Sequence, residues 1–224
     1  MNQEEAGRLA RELKIDITQV VREEWEVKLL ALLFEQPLGN RLYFKGGTAL
    51  RLVYGSPRFS EDLDFTATQP ITQKMFTAFI ESVAASYPQT RVSDLKAKFY
   101  TLLAEFKISE SFLPSNFSMK IEVSTRRQRY QPTLALVNSP TTNMQVLARV
   151  ERLEDVYQEK QVALGSRRKP RDLFDLWYIA QQLRRPLPVD LPKLPRREIR
   201  QELLRYLPAS FAPVVAQLEK TYGA

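Results

Sequence analysis

Residues 41–66, RLYFKGGTALRLVYGSPRFSEDLDFT, read as strand, glycine turn, helix, loop and strand, and they end in two carboxylates spaced i and i+2. The apolar run Leu42-Tyr43-Phe44 meets Gly46-Gly47, a turn signal. From Thr48 onward Leu50, Val53 and Tyr54 recur at helical spacing. Gly55-Ser56-Pro57 stops that helix, because glycine ends helices easily and proline disfavours helical geometry before it. Asp62, Leu63, Asp64 and Phe65 alternate polar and apolar, so in a strand Asp62 and Asp64 share one face while Leu63 and Phe65 enter the core.

Two carboxylates side by side repel each other, and a fold that keeps them usually offsets them with a cation. Oxygen ligands of this kind suit Mg²⁺, with Mn²⁺ as an alternative, held by one or two carboxylates together with substrate phosphates. A Gly-Gly turn that opens a helix brings backbone N–H groups close to an anion, since no side chain blocks the approach. Together these parts make a site for a nucleoside triphosphate (NTP) and a metal. The plainer reading of the same residues is a βαβ turn with a solvated acidic strand edge.

Gly46-Gly47-Thr48-Ala49-Leu50, followed by Arg58-x-Ser60-x-Asp62-x-Asp64-Phe65, resembles the first motif of the AbiEii-type nucleotidyltransferases. These are toxins of bacterial toxin–antitoxin and phage-abortive systems within the DNA polymerase β-like superfamily, which includes MenT-like toxins. The resemblance runs from about residue 20 to about residue 183. It implies a metal site on Asp62, Asp64 and a third carboxylate, for which Glu122 occupies the matching strand position. It also implies phosphate contacts from Lys45, Gly46, Gly47 and Thr48, with Arg58 and Ser60 either touching phosphate or bracing the loop. Downstream, Lys160-x-x-Ala163-Leu164 … Arg167 … Arg171-Asp172-Leu173-x-Asp175 resembles later motifs of the family. Carried over, Lys160 holds nucleotide phosphate and Asp172 lies in the cleft as a catalytic carboxylate. Asp175, free to pair with Arg171 at i and i+4, ranks below it. Two departures stand out: threonine follows the glycine where superfamily members often have serine, and the third carboxylate is Glu rather than Asp.

Composition narrows the chemistry. The 224 residues include no cysteine and no histidine, which excludes disulfides, thiolate nucleophiles, Ser-His-Asp arrangements and histidine-ligated zinc. What remains is carboxylate, Lys, Arg, hydroxyl and hard-metal chemistry. A net charge of +7 favours a polyanionic partner. No apolar run reaches membrane-spanning length and the acidic start lacks a signal-peptide pattern, so no membrane partner and a cytoplasmic location are expected.

Around the central stretch, residues 1–35 read as helical, with Asp16 or Thr18 as cap. Val20, Val21, Trp25, Leu29, Leu32 and Leu33 form its apolar stripe, and Arg22, Glu23, Glu24 and Lys28 are expected mainly on the opposite side. Thr72–Tyr87 reads as an amphipathic helix, and Tyr100–Ile108 and Phe117–Thr125 as strands joined by a hairpin connection. Glu122, flanked by Ile121 and Val123, faces away from those apolar neighbours. Residues 126–145, with Arg126, Arg127 and Arg129, read as a loop near the site. Leu153–Leu164 is a helix that Gly165-Ser166 ends, Arg171–Leu183 is a second, and residues 184–197 form a proline-rich linker before short packing helices broken by Pro208 and Pro213. Between Lys160 and Arg200 eleven Lys or Arg stand against four Asp or Glu, a candidate surface for gripping RNA.

The expected fold is therefore α/β (α+β): a polymerase β-like mixed sheet with flanking helices over residues 1–145 and a helical subdomain over 146–224. The resemblance implies transfer of a nucleoside monophosphate (NMP) from an NTP to an acceptor such as the tRNA 3′ end, which blocks translation, and a cognate antitoxin as partner. An enzyme that modifies a small molecule or a protein side chain, and a nucleotide- or RNA-binding module without turnover, are the alternatives.

Overall fold

The computed structural model describes residues 1–126 and 132–224. Arg127 and Arg129 of the basic loop lie outside the described residues. In chain order the elements are α1 (Gln3–Leu13), α2 (Ile17–Phe34), a 3-10 turn (Gly39–Arg41), β1 (Leu42–Lys45), α3 (Gly46–Leu52), β2 (Asp62–Ala67) and α4 (Gln73–Ser86). There follow β3 (Thr90–Lys98), β4 (Thr101–Ile108), β5 (Phe117–Ser124), β6 (Thr133–Val137) and β7 (Val146–Val150). The chain ends in α5 (Leu153–Arg167), α6 (Pro170–Gln182), α7 (Arg196–Tyr206), a 3-10 turn (Ala209–Phe211) and α8 (Ala212–Tyr222).

The strands form one mixed sheet in the order β3-β4-β5-β2-β1-β7-β6. β1 and β2 run antiparallel, whereas β2–β5 and β1–β7 are parallel. One face carries Phe44, Phe65, Val123, Phe106 and Val150, all buried, and α2 and α4 cover it. Alternation along the strands turns Lys45, Asp64 and Glu122 to the other face. A second apolar cluster joins α5 to α8 and is tied to the sheet through Leu50 and Tyr54 at the α3 end of the central motif. β7 extends the sheet past residue 145, so the change from strands to helices comes after Val150.

Three expectations are corrected. Arg22, Glu23 and Glu24 do not form a solvated face of α2 but are buried, and Lys28 is half-buried, because α2 packs on β5 and β7 and is overlaid by α1 and α4. Partners distant in sequence offset three of these charges: Arg22 with Glu61, Glu23 with Arg51, and Glu24 with the N-terminal amine. Gly165-Ser166 lies inside α5, which is capped by Arg168 in left-handed geometry, φ 49°, as α1 is by Lys14, φ 53°. Residues 126–145 contain β6, and the unassigned stretch after α4 forms β3.

Candidate active site

The site is built where β1, β2 and β5 lie side by side. In register, Lys45 faces Asp64 across β1–β2, and Asp64 faces Glu122 across β2–β5. The three therefore form one polar row across adjacent strands, on the face away from the sheet core. The glycine turn makes the row possible. Gly46 takes φ +80°, and a Cβ there would stand 2.3 Å from the Asp64 carboxylate. A Cβ on Gly47 would stand 2.4 Å from the Arg58 guanidinium and 2.7 Å from Ser60 Oγ. The glycines thus let the turn lie against the two later parts of the motif.

A cleft of about 690 Å³ opens over this row, lined by Lys45, Asp64 and Glu122 from the sheet and by Glu159, Lys160 and Arg167 from α5. Burial first, then the charges of Asp62 and Glu122, pushes the Asp64 carboxyl up to about 6, against the opposing pull of Lys160 and Lys45. Asp62 is also raised, mainly by burial, although Lys120 opposes the shift. Crowded carboxylates of this kind gain from a divalent cation. Among the described residues, however, no three carboxylates come together as a metal cluster. The donor set therefore fits a cation held by one or two carboxylates and completed by phosphate oxygens, the habit of Mg²⁺, rather than a closed protein cage.

Behind the cleft is a buried ion network. Arg58, 3% exposed, grips Asp175 with two parallel bonds, Nε to Oδ1 at 2.6 Å and Nη2 to Oδ2 at 2.8 Å, and donates to the Phe59 carbonyl. Lys160 Nζ lies 2.7 Å from Asp175 and 3.0 Å from Asp172. Arg167 donates to both oxygens of Asp172, at 2.8 and 3.1 Å. Burial alone would raise the Asp175 carboxyl, but Arg58 and Lys160 hold it down at about 2.

The candidates divide accordingly. Lys45, Gly46, Asp64, Glu122 and Lys160 meet at one cleft. Asp62 is on the same strand face, outside that lining. The Thr48 hydroxyl is fully buried and donates to the Asp62 carbonyl at 2.5 Å, so it ties the helix start to β2 and only the Thr48 backbone is left for phosphate. Arg58 is spent on Asp175, which fits the bracing alternative and not phosphate contact. Ser60 sits beside it against Gly47. Asp172 has no exposed surface, and both its oxygens are engaged by Lys160 and Arg167. Asp175 pairs with Arg58 and Lys160 and not with Arg171, which faces Glu202 at 3.8 Å.

Two features escaped the sequence. Lys45 Nζ is bonded to Glu159, at 2.9 and 3.0 Å. Glu151, just past β7, is 1% exposed with neither carboxylate oxygen partnered, and burial, then the charge of Glu159, raises it to about 8. Neither has a motif signal; only the β1–β7 pairing brings Glu151 beside Lys45.

Comparison with known proteins places the chain in a family and its fold among solved structures. The family described as nucleotidyl transferase AbiEii toxin, type IV toxin–antitoxin system, matches residues 28–213. MenT4, the nucleotidyltransferase toxin Rv2826c from Mycobacterium tuberculosis H37Rv, aligns over 99% of this chain and 88% of its own, at 18% identity and TM-score 0.60. JHP933 from Helicobacter pylori aligns over 75% of this chain and 68% of its own, at 23% identity and TM-score 0.56. At these identities the two structures speak for the fold. No curated protein matches the sequence.

Proposed function

The chain belongs to the AbiEii nucleotidyl transferase toxin family of type IV toxin–antitoxin systems, and from that premise we propose that it transfers NMP from an NTP to the 3′ end of an RNA, with tRNA as the favoured acceptor. The observation that carries the reading is the row Lys45–Asp64–Glu122 at the floor of a cleft roofed by Lys160 and Arg167. Acidic groups below and basic groups opposite suit a triphosphate with its cation. A toxin of this family also implies an antitoxin that holds it in check.

In the transfer, an acceptor hydroxyl oxygen bonds to the α-phosphorus, the bond to the bridging oxygen of pyrophosphate breaks, pyrophosphate leaves, and the hydroxyl proton passes to water. Asp62 and Asp64, with Glu122 beside them, would hold Mg²⁺ or Mn²⁺, which when bound neutralises phosphate charge and acidifies the acceptor hydroxyl. Lys160 and Arg167 bind phosphate oxygens from the α5 side. Asp172 and Asp175 act as positioning residues that hold those cations and Arg58 in place. Lys45 exchanges Glu159 for phosphate when the nucleotide enters. Backbone N–H groups of Gly47 and Thr48 approach the same phosphates. The remaining catalytic power is alignment and charge placement before reaction.

The acceptor assignment is tested by incubating the protein with Mg²⁺, each α-³²P-labelled NTP in turn, and total tRNA that is either intact or periodate-oxidised. Label on intact tRNA and none on the oxidised sample supports a 3′-terminal hydroxyl acceptor. Equal labelling of both, or label on protein alone, contradicts it.

A further inference from the structure

The β3–β4 hairpin presents two aromatic side chains to solvent at its tip. Phe99 is 87% exposed and Tyr100 47%, and their rings meet edge to face with centroids 4.4 Å apart. The pairing of Lys98 with Thr101 makes them the two turn residues, positions where Gly, Asn and Asp are usual. Rings so exposed contribute little to folding. Their surroundings are basic. Lys98 precedes them, and the Arg126 guanidinium lies 5.3 Å from the Tyr100 ring centroid.

The tip also adjoins the active cleft. Thr101, the residue after Tyr100, lines that cleft, as do Ser124 and Arg126. Thr125 N–H donates to the Tyr100 carbonyl at 2.9 Å, which fixes the tip against the end of β5, two residues past Glu122. Flat rings and a guanidinium thus stand together beside the cleft, with Lys98 next in sequence.

We propose that Phe99, Tyr100 and Arg126 form a stacking platform for unpaired nucleobases of a single-stranded nucleic-acid acceptor, with Lys98 on its phosphates. Bases of any identity offer a π face, and the phosphates between them match the flanking positive charge. A duplex keeps its bases stacked inside and offers no such faces. The platform rests on the transfer reading for its role in presenting an acceptor, but stacking can be measured without turnover.

The test is fluorescence anisotropy with a labelled single-stranded RNA of about ten nucleotides, within the usual span of such grooves, its DNA counterpart and a blunt RNA duplex. The proteins are the wild type, Phe99→Ala/Tyr100→Ala and Phe99→Trp/Tyr100→Trp. The alanine pair should weaken single-strand binding about ten-fold or more, while the tryptophan pair binds like the wild type. The DNA strand should follow the RNA strand, and duplex binding should be the same for all three proteins. Unchanged single-strand binding by the alanine pair, or an equal loss on the duplex, would overturn the platform, as would a DNA strand that fails to bind. If the strand binds through the tip but no RNA is ever labelled from an NTP, the platform stands and the transfer reading fails.

Discussion

At the scale of single residues, the site shows carboxylates kept where their charge is unfavourable. Asp64 is half-buried beside Asp62 and Glu122, and the loss of water and their charges raise its carboxyl to about 6. Asp64→Asn should therefore leave the melting temperature unchanged or higher while transfer falls about 10²- to 10³-fold or more, the usual scale for losing one charge-stabilising group. A melt and a label assay on the same preparation decide this, and a destabilised variant would contradict it. Glu151 gives a separable pH signature. Its carboxyl stands raised to about 8, so the folded state binds a proton that the unfolded chain has already released. Stability from this group is complete below the unfolded carboxyl's pKa near 4.5 and is lost as pH rises toward 8. Glu151→Gln should gain about 2–4 °C at pH 9, worth roughly 1 kcal/mol for a chain this size, and nothing at pH 5. An equal shift at both values would show that the group carries no proton linkage. Gly46→Ala tests the close approach: φ +80° and the Asp64 carboxylate both oppose a Cβ, so activity should fall with the variant still folded.

At the scale of elements, the Arg58–Asp175 pair fastens α6 to the loop before β2. Removing one partner leaves the other charge buried alone, so Asp175→Ala should cost about 3–5 kcal/mol in denaturant unfolding. Asp175 is held at about 2, so its contribution is complete above pH 3.8 and is lost as pH falls toward 2. A loss below 1 kcal/mol would show that α6 is held by apolar packing alone. The central strand–turn–helix–strand stretch was legible because its alternation, glycines and carboxylates all lie within 26 residues. Glu122 was legible by its apolar flanks, and the structure does pair it with Asp64. The α2 charges were not, because a helix covered on several sides has no single polar face, and Glu61 and Arg51 reach it only through the tertiary fold. β3 and β6 were missed because they are the sheet's two edges, β3 with mostly exposed side chains. The buried pairings of Arg58, Asp172 and Asp175 were not legible for a related reason: a motif gives the residues that belong to it, not which of them pair in the fold.

At the scale of the whole molecule, a sheet face and a helical layer enclose an acidic floor beneath basic groups, on a chain of net charge +7. RNA binding by such a surface releases counterions, so acceptor affinity should fall linearly on a log–log plot against salt, with a slope of about one per phosphate contacted. Salt-insensitive turnover would instead point to a small-molecule or protein acceptor. The most direct measurement compares the intact protein with Asp62→Asn/Asp64→Asn, matched by circular dichroism, for release of pyrophosphate and incorporation of label from α-³²P-labelled NTP in the presence of total RNA and Mg²⁺. The account predicts release and incorporation in equal amounts from the intact protein and neither from the variant. Equal activity in the two proteins, or no nucleotide consumption by the folded intact protein, would contradict it.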